Sequence, residues 1–195
     1  MNLLYVCTYN IERSIAAEII TKQQAERAGL ELNVSSAALQ IPTSPRIKSE
    51  MIIALKRLGY KAPDYRPRKL TLQDIAESDL ILCFDQQHKK TFEEMANRPV
   101  QTLSEYVSWM PRDIKEPAHY LRTPVKPSVF IPLICLLTNT KDSTLFENVL
   151  DVYQKTAKKI ERHVDKLIIR LLKERTKSVQ HPQSGNTQAC STAKH

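Results

Sequence analysis

Glycine is scarce in this chain: three in 195 residues, at Gly29, Gly59 and Gly185. That excludes collagen-like and glycine-rich architectures, and with them the closely spaced glycines of a dinucleotide-binding turn. Long apolar runs are missing too. The longest, residues 129–137, contains Pro132 and reaches about half of the 18–20 residues a membrane span needs, so no membrane span is expected. The opening residues, Met1 to Val6, carry no basic leader and no small-residue cleavage site, which argues against a signal peptide. Cysteine is limited to Cys7, Cys83, Cys135 and Cys190, without CxxC pairing or neighbouring histidines. A zinc site and a dense disulfide framework are therefore not expected, and free thiols in a reducing, cytoplasmic setting are. No EF-hand, HExxH or Walker sequence is present, so neither a metal nor any other cofactor is expected.

What is present suits one globular domain. Apolar residues make up 42% of the chain and charged residues 26%, enough for a buried core without global disorder. The formal charge is +8, from 29 basic and 21 acidic side chains, which favours anionic partners. The basic residues are scattered beside acids without a nucleic-acid-binding signature, so no nucleic acid partner is expected. The run Leu3-Leu4-Tyr5-Val6 reads as a buried strand, and helical spacing begins at Ser14, with Gly29 as its stop. A second strand fits residues 32–36. Ser44-Pro45 opens a helix whose stripe is Ile47, Met51, Ile52, Leu55 and Leu58, with Gly59 after it. Thr71 to Asp74 caps a short helical turn, Asp79 to Phe84 reads as a third buried strand, and a helix follows from Gln86 to about Asn97. Thr144 and Glu147 form a capping-box pattern ahead of an amphipathic helix of roughly 45 Å, striped from Phe146 to Leu171. Strands alternating with helices predict an α/β fold with a parallel sheet. The domain is expected over residues 1–175, with a proline-bearing insertion at about 121–142 and a disordered polar tail at 176–195.

The chemistry concentrates at Cys7-Thr8-Tyr9-Asn10-Ile11-Glu12-Arg13-Ser14. A cysteine closes a buried strand, five residues follow, and an arginine and a serine enter a helix. At such a junction the backbone N–H groups converge and the positive end of the helix dipole is near, so a phosphoryl group or a thiolate is stabilised there. Arg13 can hold two phosphoryl oxygens in its planar fork. A cysteine and an arginine at this spacing also occur by chance, and a cysteine after a strand is often only a small buried side chain. The strand–loop–helix context and the adjoining serine favour chemistry.

This loop resembles the Cys-x5-Arg-Ser signature of the low-molecular-weight protein tyrosine phosphatases, and the likeness continues along about residues 1–120 and 143–173. Ser35-Ser36-Ala37-Ala38 is similar to the family's serine-bearing stretch after the second strand. Arg68 to Thr71 with Asp74, then Asp79 to Asp85, resembles the segment leading through the third strand. Asp113-Ile114-Lys115-Glu116-Pro117 resembles the general-acid loop, and Phe146-Glu147 the start of the last helix. The resemblance implies about four parallel strands with helices on both faces. It implies hydrolysis of phosphotyrosine proteins or small aryl phosphates, with inorganic phosphate or vanadate as ligands. In that scheme Cys7 forms a phosphocysteine intermediate, while Arg13 and the amides of residues 7–14 bind the phosphoryl oxygens. Ser14 assists the thiolate, Asn10 takes the left-handed backbone position, and Ser36 supports the loop.

Departures from the family pattern are equally specific. Glu116 stands where the family has aspartate as general acid, with Asp113 as a stand-in. Ala118, His119 and Tyr120 follow the proline, so the aromatic wall of the cleft, expected from Tyr9, His119 and Tyr120, is altered. Tyr9 replaces a glycine, and Glu12 replaces the second cysteine of many members, which places a negative charge near the oxyanion site unless its side chain turns away. Ile11 resembles the members acting on tyrosine more than those acting on phosphoarginine, where threonine is found. The alternatives are a catalytically weak phosphate- or phosphoprotein-binding module and, less well supported, an arsenate reductase, which needs further cysteines. The apolar cluster of the 121–142 insertion suits covering the cleft, pairing with a partner or packing on the core.

Overall fold

This computed structural model describes residues 1–41, 44, 46–117 and 143–180, the side chains at 143–145 and 178–180 excepted. The elements in chain order are β1 (Asn2–Cys7), α1 (Arg13–Arg27), β2 (Asn33–Ala38), α2 (Ser49–Arg57), α3 (Leu72–Glu77), β3 (Leu80–Cys83), α4 (Gln86–Ala96), β4 (Gln101–Thr102), α5 (Leu103–Val107) and α6 (Ser143–Gln180). The four strands form one parallel sheet in the order β2-β1-β3-β4.

The pleat explains why β1 is apolar without interruption. Successive side chains point to opposite faces, and both faces are covered. Leu3, Tyr5 and Cys7 join the core formed with α1, α2 and α6, whereas Leu4 and Val6 join the smaller core around Phe92 of α4. The stripe of α6 (Val149, Tyr153, Ala157, Ile160, Val164, Leu167, Ile168 and Leu171) lies in the first core at helical spacing. Each Val, Leu and Ile side chain of that stripe contributes about 1.5–3 kcal/mol on burial. Gly29 and Gly59 follow α1 and α2 at φ +64° and +85°, and the residue after each donates back into its helix, Leu30 to Ala25 and Tyr60 to Leu55. These closures need a left-handed residue, which glycine supplies without strain.

Several boundaries differ from the sequence reading. The helix expected from Ser44 starts at Ser49, because the Ser44 hydroxyl closes a local turn with the backbone of Arg46 instead of capping a helix. Lys48 stands before α2 with extended backbone and no side-chain cap. Helix α6 already includes Ser143, so Thr144 lies inside it and is not its cap, and exposed Glu147 pairs with Arg57 at 3.3 Å. At its other end α6 runs to Gln180, so residues 176–180, expected in the disordered tail, are helical. Strand β4 and helix α5 were not anticipated; Thr102 and Glu105 form a reciprocal capping box there, as Thr71 and Asp74 do for α3. The 121–142 insertion and residues 181–195 lie outside the described residues. Among the described residues no helix is long and apolar enough to cross a membrane.

The topology fixes where a ligand belongs. From β1 the chain crosses to β2 on one side, then returns past β1 to β3 on the other. The loop after β1 therefore opens at the carboxyl end of the strands where their order reverses, the crevice in which open α/β sheets take ligands.

Candidate active site

Cys7 ends β1 and is 3% exposed. Residues 8–12 then turn the chain into α1. Asn10, at φ +56°, supplies the turn's left-handed residue. The loop is braced from outside: Leu39 and Gln40 donate to the carbonyls of Cys7 and Thr8, and Lys48 donates to that of Ile11. Its own N–H groups from Thr8 to Arg13 donate to no acceptor among the described residues. Successive N–H groups around a left-handed residue, at the start of a 15-residue helix, form an anion-binding concavity.

A chain of hydrogen bonds sets the polarity beneath this concavity. The Glu18 carboxylate can only accept, so the Ser36 hydroxyl donates to it at 2.6 Å. Asn10 Nδ2 then donates to Ser36 Oγ and to Ser14 Oγ, both at 2.8 Å, while Asn10 Oδ1 accepts from the Arg68 N–H at 3.1 Å. Ser14 Oγ, which accepts from Asn10, lies 3.0 Å from Cys7 Sγ, and toward a Cys7 thiolate the Ser14 hydroxyl is the donor. The charge of Glu18 is balanced by Lys22. The structure thus brings Cys7, Asn10, Ser14 and Ser36 together, with Glu18 as an additional member that sequence reasoning missed. A carboxylate one turn past Ser14 was the available signal.

Arg13 is 1% exposed, and its fork is almost fully engaged. Nη1 donates to Asp85 Oδ2 at 2.6 Å and to the Ile114 carbonyl at 2.9 Å. Nη2 lies 3.1 Å from His88 Nε2 and also donates to Glu116 Oε1. Asp85 Oδ1 accepts the His88 backbone N–H at 2.9 Å and so caps α4. Burial works against ionisation of Asp85, but the His88 N–H, the imidazole and Arg13 outweigh it and hold the carboxyl below its usual range. His88 itself is pushed down to about 4, first by burial and then by Arg13, against the pull of Asp85, Glu116 and Asp113. Neither Asp85 nor His88 was assigned a role from the sequence, although a carboxylate closing a strand three residues before a histidine is an N-cap signal.

Glu116, expected as the general acid, is brought to Arg13, and Thr8 Oγ1 lies 3.4 Å from its Oε1. Asp113, the stand-in, is not brought to Arg13: its carboxylate pairs with Lys115 at 3.1 Å. The Ile114 N–H donates to the Phe84 carbonyl and its carbonyl accepts from Arg13, so the acid-bearing loop is pinned to the end of β3. Tyr9 is half-buried and Ile11 is buried. His119 and Tyr120, expected in the cleft wall, lie outside the described residues. Glu12 turns away from the concavity: its Oε1 accepts from Tyr153 of α6 at 2.9 Å and pairs with Lys48 at 2.8 Å. Cys83 is fully buried, and burial followed by the charge of Asp85 pushes its thiol well up, so it is inert as a nucleophile.

The arrangement can hold a tetrahedral oxyanion against a sulfur hydrogen-bonded to a hydroxyl, with an arginine and a carboxylate at the rim. The model of one family, described as low molecular weight phosphotyrosine protein phosphatase, matches residues 2–179. The protein-arginine-phosphatase of Bacillus subtilis (strain 168) is 32% identical over 120 residues, covering 60% of this chain and 79% of that protein. Among solved structures, a cysteine-to-serine mutant of an arginine phosphatase with a phosphorylated active-site serine superposes with TM-score 0.70 at 26% identity, over 90% of this chain and 99% of the other. A low molecular weight protein tyrosine phosphatase from T. tengcongensis gives TM-score 0.67 at 26% identity, over 87% and 99%.

Proposed function

The chain belongs to the low molecular weight phosphotyrosine protein phosphatase family, and we propose that it hydrolyses phosphotyrosine proteins or small aryl phosphates through a phosphocysteine intermediate. The family carries cysteine-dependent phosphatase chemistry. The observation that supports the finer reading is the Ser14 hydroxyl 3.0 Å from Cys7 Sγ, at the base of a concavity of N–H groups that meet no acceptor among the described residues.

In the first step Cys7 Sγ attacks phosphorus in line; the S–P bond forms as the ester P–O bond breaks, and Glu116 gives the leaving oxygen its proton. The loop N–H groups and Arg13 hold the equatorial oxygens, where charge spreads in the transition state. Arg13 Nε–H donates to no acceptor among the described residues, and its Nη2 bond to Glu116 is the one made to a half-exposed group. An arriving phosphoryl group would take those two positions and release Glu116 toward the leaving oxygen. In the second step Glu116 takes a proton from water, the water oxygen bonds phosphorus, and the S–P bond breaks. The Ser14 hydroxyl then stabilises the departing thiolate. The mutant relative, with phosphate on the serine that replaces its cysteine, supports a covalent intermediate by analogy.

A second reading, phosphoarginine as substrate, is favoured by the likeness to the Bacillus subtilis protein; buried Ile11, where threonine is expected for that substrate, favours tyrosine. The test is metal-free turnover of para-nitrophenyl phosphate, a phosphotyrosine peptide and a phosphoarginine peptide, with Cys7→Ser and Glu116→Gln as controls. We expect turnover abolished by Cys7→Ser, slowed by about 10²–10⁴-fold in Glu116→Gln on the peptides, and faster on phosphotyrosine. Preference for phosphoarginine overturns the substrate; phosphate binding without Cys7-dependent turnover overturns the enzyme.

A further inference from the structure

We propose that His88 is a positioning residue of this site, whose unprotonated Nε2 accepts from Arg13 beside the Thr8 hydroxyl and so sets the plane in which the guanidinium meets an oxyanion. The inference rests on the phosphatase reading only in taking the Cys7–Arg13 loop as an oxyanion site.

The proton inventory of Arg13 leads there. A guanidinium has five N–H donors in a rigid fork and no acceptor. Both Nη1 protons go to buried protein oxygens, those of Asp85 and Ile114. Of the Nη2 protons, one meets the half-exposed Glu116, and the other meets buried His88 at Nε2. His88 is therefore the fixed partner on the Nη2 side. Because Arg13 can only donate, Nε2 must be bare and the ring proton must sit on Nδ1, which lies 3.3 Å from Asp85 Oδ1 but out of hydrogen-bonding alignment. Thr8 Oγ1 lies 2.8 Å from the same Nε2, which sets the first residue of the loop beside the arginine that follows it.

The ring is held by the same carboxylate that holds Arg13. Asp85 Oδ2 takes Nη1, and Asp85 Oδ1 takes the His88 backbone N–H, so one carboxylate ties the arginine to the first turn of α4. The charged and titratable groups facing His88 are Arg13, Asp85, Glu116 and Asp113. Its burial and the adjacent guanidinium keep it neutral at ordinary pH, which an acceptor for arginine requires. A lysine or a protonated histidine here would set donor against donor.

The test compares His88→Gln, which places an amide oxygen at about the reach of Nε2, with His88→Leu, which keeps volume and removes the acceptor. Inorganic phosphate binding is measured by isothermal titration, and kcat and KM with para-nitrophenyl phosphate. In His88→Leu we expect the phosphate Kd and the KM to rise by about 10- to 100-fold, with most of the loss recovered in His88→Gln. Equal losses in both variants, or phosphate affinity unchanged in folded His88→Leu, overturn the proposal. Should His88→Leu fail to fold, His88→Asn, whose amide stops short of Arg13, takes its place with the same expectation. Phosphate binding is readable without catalysis. Absence of Cys7-dependent turnover with the expected binding pattern removes the phosphatase reading and leaves the role of His88 standing.

Discussion

Asn10 does three things that no other residue type combines. Its backbone takes φ +56°, its Oδ1 receives the Arg68 N–H, and its two amide protons go to Ser14 and Ser36. Asn10→Gly keeps the backbone and loses the side-chain bonds. Asn10→Ala loses them too and adds the left-handed strain of a Cβ, about 1 kcal/mol. We therefore expect urea unfolding to rank the variants wild type, Gly, Ala, and both variants to slow turnover because Ser14 loses the Asn10 bond that holds it beside Cys7. Alanine as stable as glycine would contradict the loop geometry. Asn10, Ser14 and Ser36 could be read from the sequence because each stands at a characteristic place in a short motif. His88 could not: it sits before Lys89 and Lys90 in a polar helix, and its burial comes from contacts distant in sequence, Thr8 and Arg13 among them.

Among the elements, the existence of every strand and helix but β4 and α5 followed from the sequence pattern, whereas the ends depended on backbone groups that sequence does not display. Ser44 has the chemistry of a cap but satisfies its own turn, and Lys48 precedes α2 without any side-chain cap. Strand β4 is two residues long, too short for alternation to register. The attachment of α6 to the loop was equally hidden, since it pairs residues 141 positions apart. Glu12, 7% exposed, depends on Tyr153 and Lys48 for its two contacts. Tyr153→Phe removes one of them and should lower stability by about 1.5–3 kcal/mol, the range for a hydrogen bond to a charged group. Glu12→Ala leaves both the Tyr153 hydroxyl and the Lys48 ammonium without their partner and should cost more. Chemical denaturation of the two variants checks the order. Tyrosine as the costlier loss would mean that Glu12 is not the hub of this contact.

At the scale of the whole molecule, the buried active-site histidine makes stability depend on pH in a window that carboxylates do not share. His88 titrates near 6.5 in the unfolded chain and at about 4 when folded. Above the upper value neither state is protonated there. As pH falls below it the unfolded chain binds the proton first, so stability is lost between about pH 6.5 and 4. By pH 5 the loss from this residue reaches about 2 kcal/mol. His163, lowered mainly by burial, acts in the same sense. Asp74, Asp85 and Glu105 are held below their usual ranges and contribute stability that is lost only at lower pH, as each is protonated. Comparing wild type with His88→Gln at pH 7.5 and pH 5 isolates the residue, because Asp85, the carboxyl that His88 helps to lower, titrates below that interval. The variant should start less stable and lose about 2 kcal/mol less over the interval. Parallel losses would place a proton on folded His88 in that range, and with it a second positive charge against Arg13, where the neutral acceptor of the site must be.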